Sequence, residues 1–163
     1  MATLAGRSGL GPPVVAGIIG GLIFAVFEIM AAAVMMGAEA AFMPLRMIGG
    51  IVLGAQALDP SYPLITAAIA GVLVHMVLSI VFAIVFATIA PATVASGTLV
   101  PLGIGFGIAL WIVNFFVIAP MAGWNWFPEQ TNPIVQVLAH GLFFGLPVGW
   151  YLARAQPIAR PAL

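Results

Sequence analysis

The chain has 163 residues, of which 64% are apolar and 5% charged, against roughly 25% charged in a soluble globular domain. Eight charged side chains cannot solvate the surface of a 16.8 kDa globule, so the composition excludes a soluble protein and suits one membrane domain over residues 1–163. The four basic residues are all arginine and the net charge is zero, which argues against nucleic acid as a partner, and the absence of cysteine excludes disulfides and thiolate chemistry.

A crossing needs about 20 predominantly apolar residues, and four runs qualify: about 13–37, 64–90, 99–121 and 133–153. The punctuation agrees, with Gly11-Pro12-Pro13 before the first run, Pro60 and Pro63 before the second, Pro91 to Gly97 after it and Asn132-Pro133 before the fourth. The first run carries Glu28 and exceeds the roughly 7–15 residues of a secretory h-region, so it reads as a retained helix. Arg7, Arg154 and Arg160 flank the termini, whereas the opposite loops hold Arg46 against Glu39, Asp59 and Glu129; both termini are therefore expected in the cytoplasm. Tyr62, Trp124, Trp126 and Phe127 on the far side, and Trp150 and Tyr151 on the near side, read as interfacial aromatic belts.

The first far-side loop, 38–63, is oily but too short to span. Its segment at about 44–58 predicts a short helix lying in the interface, with a re-entrant segment sheltered by the bundle as the alternative. Arg46 is expected to anchor this loop to headgroups or to pair with Glu39 or Asp59.

The sequence also carries self-similarity. An offset of 86 places Gly17 on Gly103, Gly21 on Gly107 and Glu28 on Asn114, and an offset of 65 places Val72 to His75 on Val137 to His140. Two parallel two-helix repeats, related by a pseudo-twofold axis along the membrane normal, are the expectation. The Gly17/Gly21 and Gly103/Gly107 pairs form GxxxG stripes, and Glu28 and Asn114, seven residues beyond, share their faces and should point into the bundle.

Each run holds one strongly polar residue: Glu28, His75, Asn114 and His140. Counted from the far-side boundary at 1.5 Å per residue, all four fall roughly 11–17 Å deep, in a single layer. Ser79 shares the His75 face and Gln136 the His140 face, as a supporting shell. Intramembrane ionisable groups are costly and by default mark function. His75, His140 and Glu28 have the residue types of a metal site, and the two histidines could instead ligate a haem or separate pigment macrocycles. A hydrogen-bonded structural network and a proton path through the same residues are the other readings. Methionines 35, 36, 43, 47 and 121 suit Cu(I) in principle and ordinary packing more simply.

No HExxH, GxSxG or Walker pattern is present, so an enzyme is not expected. The Gly-rich first helix, Leu73-Val74-His75-Met76 and the loop Pro44-Leu45-Arg46-Met47-Ile48-Gly49-Gly50 resemble those of small uncharacterised four-helix bacterial membrane proteins, a resemblance that implies an all-helical inner-membrane protein and carries no activity. The expected function is a structural or accessory subunit of a membrane assembly, partnered by lipid, other subunits or further copies of itself, with a metal ion, haem or pigment as candidate cofactors. The alternative is a small dimeric transporter or proton-conducting protein using Glu28, His75 and His140.

Overall fold

The computed structural model describes residues 3–155; Arg160, used above to orient the chain, lies outside them. Seven helices follow in order: α1 (Leu4–Ser8), α2 (Gly11–Met36), α3 (Met43–Leu53), α4 (Leu64–Ile89), α5 (Ser96–Met121), α6 (Trp126–Gln130) and α7 (Pro133–Ala155). No named strand occurs among the described residues. α2, α4, α5 and α7 are long and apolar enough to cross a membrane, and their limits fall within about three residues of the predicted runs.

The helix ends follow from the sequence. α2 opens on Pro12 and Pro13, whose missing N–H groups cost nothing in a first turn, and closes at Gly37 with φ 99°. α7 opens on Pro133 behind Asn132, whose side-chain oxygen accepts from the Ile134 and Val135 amides. Between α3 and α4, Asp59 accepts from the Ser61 amide at 2.7 Å and hydroxyl at 2.6 Å. These bonds, the hydroxyl's first, hold its carboxyl below the ordinary Asp range.

Glycine sets how closely the long helices approach. A Cβ on Gly17 would lie 2.6 Å from the Ile80 Cα, and one on Gly21 would lie 2.7 Å from the Ser79 Oγ, so α2 and α4 touch backbone to backbone. On α5, a Cβ on Gly103 would strike the Gly145 carbonyl and one on Gly107 the His140 carbonyl, which gives α5 and α7 the same intimacy. Both predicted GxxxG stripes are thus contact faces. α2 also leans on α7, where Gly20 meets Val148 and Phe144. No comparable backbone approach joins α4 to α5, which meet through the Phe86–Phe106 ring pair, centroids 5.2 Å apart.

One end of the bundle, the near end, is shut. α1, which periodicity did not predict, folds beneath it: Thr3 bridges to Pro91, the Leu4 amide donates to the Ala90 carbonyl, and the Leu4 side chain joins a core with Phe86, Leu99 and Leu152. Arg154 stacks on Trp150 at 4.3 Å at this end, as an interfacial pair would.

The far end is built differently from expectation. The Leu45 carbonyl abuts Gly71 and Gly49 abuts the Ala67 carbonyl, so advancing four residues along α3 retreats four along α4. The segment expected to lie flat in the interface therefore stands antiparallel against α4, starting about 10 Å inside it, closer to the sheltered re-entrant alternative. Arg46, 9% exposed, directs the hydrogen bonds of its guanidinium to backbone carbonyls rather than to a carboxylate, and, after the Ser61 bonds, its charge lowers the Asp59 carboxyl through space alone. Its Nη1 donates to the carbonyls of Ala57 (3.0 Å) and Asp59 (3.1 Å) and its Nη2 to that of Tyr62 (3.1 Å). Trp126, assigned above to the aromatic belt, is 8% exposed instead. Its ring covers Gly50 and its Nε1 donates to the Met47 carbonyl at 3.1 Å, pinning α3 to the second hairpin. Trp126→Phe keeps the packing and removes that bond, so thermal unfolding in detergent should report a loss of about 0.5–1.5 kcal/mol; an unchanged midpoint would show that the pin contributes nothing.

Candidate functional site

Between α4 and α5, on the far side of the Phe86–Phe106 pair, lies a cavity of about 430 Å³. It collects the intramembrane polar residues singled out from the sequence: Glu28 from α2, His75 and Ser79 from α4, Asn114 from α5, and Gln136 and His140 from α7. Inward faces put them there, since glycine stripes bring each helix pair together on the side that carries them. The expected single layer is instead two levels: His75 bonds the Gly21 carbonyl and His140 abuts Gly107, each seven residues, about 10 Å of rise, deeper than Glu28 and Asn114. Gln130, Thr131 and Asn132 line its far-end mouth, with Gln130 and Asn132 exposed.

Glu28 is 8% exposed. The Gln136 Nε2 donates to both of its carboxyl oxygens, each at 3.1 Å. The Gln136 backbone carbonyl in turn accepts from His140 Nδ1 at 2.9 Å, which links Glu28, Gln136 and His140 in one chain. His75 Nε2 donates to the Gly21 carbonyl at 2.8 Å, with the Ser79 Oγ 3.5 Å from the same nitrogen. A carbonyl oxygen can only accept, so these bonds place a proton on Nε2 of His75 and on Nδ1 of His140, and the neutral rings keep His75 Nδ1 and His140 Nε2 as acceptors. Asn114 lines the cavity at the start of a π-helical stretch.

The expected metal centre of His75, His140 and Glu28 is not assembled. Among the described residues no three His, Asp or Glu side chains converge as a metal would require. The Phe24 ring packs against both imidazoles, 5.2 Å from His75 and edge-on 4.9 Å from His140.

Two features were not predicted. Wide π-turns span Asn114–Ile118 in α5 and Ala139–Gly145 in α7, seen in the Ala119 amide bonding back to the Asn114 carbonyl and the Leu146 amide to the Gly141 carbonyl. Both open beside a cavity residue, Asn114 in one and His140 in the other, and such bulges concentrate at functional sites. Phe24 was also missed, although it sits four residues before Glu28 and so on the same face. Gln136, predicted as a supporting neighbour, is the direct partner of Glu28.

Comparison with protein-family models, curated proteins and solved structures finds no match to this chain.

Proposed function

We propose that this chain is a non-enzymatic, multi-pass protein of the bacterial inner membrane, both termini cytoplasmic, that holds a small and largely apolar molecule in its far-end cavity as an accessory component of a membrane assembly. The observation that carries this reading is the convergence of Glu28, His75, Asn114, Gln136 and His140 on one mostly apolar cavity. Binding sites of a few hundred Å³ have that character: apolar walls with a few polar groups that orient the ligand. The outer faces support the accessory role, since α2 presents Leu22, Val26, Met30 and Val34 and α4 presents Ile65, Ile69, Leu73 and Val77, all exposed and apolar, to lipid or to neighbouring subunits.

The parallel repeat has support in the packing. Offsets of 86 and 65 carry the Gly17–Ile80 contact onto Gly103–Gly145 and the Gly21–Met76 contact onto Gly107–Gly141. A duplicated hairpin would keep its glycine register while its polar residues diverged, Glu28 against Asn114.

The test is native mass spectrometry of the protein extracted from its own membrane in mild detergent. A single small-molecule adduct is expected in the wild type and its loss in Phe24→Trp, which adds bulk at the cavity wall without removing a polar group. A wild-type spectrum at the bare protein mass would overturn the binding role. A second reading, a small dimeric transporter or proton-conducting protein, draws on the contrast between the mouth at Gln130 to Asn132 and the near end sealed by Leu4 and Phe86; dissipation of a pH gradient in liposomes, lost in Glu28→Gln, would favour it instead.

A further inference from the structure

We infer that the cavity's ligand is a monovalent organic cation, an amine or quaternary ammonium with apolar substituents, and that Glu28 is its counter-ion. The inference rests on the cavity being a binding site and adds the ligand's chemistry. Glu28 is the sole acidic residue in the four long helices. A carboxylate offers about four lone-pair directions, yet the hydrogen bonds to Glu28 come from one nitrogen, the Gln136 Nε2. The chain has no lysine, and its two described arginine side chains are committed elsewhere, Arg46 to three backbone carbonyls and Arg154 to the face of Trp150.

A charge held away from water is tolerable when it is paired. The protein supplies half of such a pair and a cavity beside it. The walls suit a cation whose charge is wrapped in hydrocarbon: Phe24, Phe82, Phe115, Phe127 and Phe144 line the space, and ring faces attract cations through their quadrupole. Acceptors also line the cavity, namely Glu28 itself, the ring nitrogens His75 Nδ1 and His140 Nε2, and the Asn114 side-chain oxygen, so an ammonium N–H has partners besides the carboxylate. An anion would meet the Glu28 carboxylate, and a bare metal ion would find no converging ligand set.

The experiment compares benzyltrimethylammonium with its neutral carbon isostere, neopentylbenzene, by equilibrium dialysis against the full chain in nanodiscs, corrected for uptake by empty nanodiscs. Shape and size match, so the difference reads the charge. The cation is expected to bind at one site per chain and at least about tenfold more tightly than the hydrocarbon, as a desolvated cation among rings and a carboxylate should. Glu28→Gln should remove that preference, so that on this variant the cation binds within about twofold of the hydrocarbon. If the hydrocarbon binds the wild type as tightly as the cation, the cation inference fails while the cavity remains a binding site. If neither binds at millimolar concentration the inference also fails, and the adduct measurement above decides the cavity independently. Should Glu28→Gln not fold, the wild-type comparison alone settles the outcome.

Discussion

Gly107→Leu should abolish the folded bundle, whereas Gly105→Leu, two residues away on the same helix, should leave it intact. A Cβ at Gly107 would strike the His140 carbonyl and sit 3.2 Å from the Gly141 Cα, both of them backbone that no rotamer change can move. A Cβ at Gly105 meets nothing within 4 Å. Overpacking typically costs about 1–3 kcal/mol where side chains can yield. Here α5 and α7 must separate, and the neighbouring contacts of Gly103 with the Gly145 carbonyl and Gly149 with the Leu99 carbonyl separate with them. In lipid there is little hydrophobic force to hold helices together, so lost packing is not replaced. A total stability of about 5–15 kcal/mol leaves small margin for that. Size-exclusion chromatography and thermal unfolding followed by circular dichroism check the pair; equal midpoints for the two variants would refute close α5–α7 packing.

Arg46→Met should release the far-end loop while the four long helices persist. Three carbonyls, those of Ala57, Asp59 and Tyr62, lose their donor at once. Hydrogen bonds to a charged group contribute about 1.5–3 kcal/mol each, and a buried acceptor left unpaired adds its own cost, so a loss on the order of 3 kcal/mol or more is expected. The damage should be local because α2–α4 and α5–α7 hold through their glycine faces. Limited proteolysis would then cut between residues 54 and 62 with helical circular dichroism preserved. Arg46→Lys should recover only part of the protection, since an ammonium cannot span three carbonyls with a planar fork. Full protection in Arg46→Lys would return the residue to a simple headgroup anchor.

The polar residues of the cavity were legible in the sequence. Glu28, His75, Asn114 and His140 stand out because each interrupts an apolar run. Residue counting puts them at one depth, whereas the helix register sets the histidines about two turns deeper than Glu28 and Asn114. Their place on one cavity followed because the glycine stripes mark the inward face. What they would do together did not follow. The residue types fit a metal centre, yet among the described residues no three such side chains converge, and Phe24, one more apolar residue in an apolar helix, packs against both imidazoles. The π-turns at Asn114 and His140 were equally invisible, since one added residue in a turn leaves hydropathy unchanged.

The sequence by itself determined the four long helices, their ends at Gly37, Pro63, Pro91 and Asn132-Pro133, and the two glycine faces, because hydropathy, backbone breakers and the 3.6-residue period are local properties that need no partner to act. Only the tertiary structure decided that α3 stands against α4 rather than lying flat, that Trp126 is a buried pin and Arg46 a clasp on three carbonyls, and that α1 seals the near end. An oily eleven-residue helix, a tryptophan or an arginine has the same composition in either setting. The outcome rests on which backbone atoms come within reach, and Gly49, Gly71 and the Met47, Ala57, Asp59 and Tyr62 carbonyls come within reach once the helices have packed.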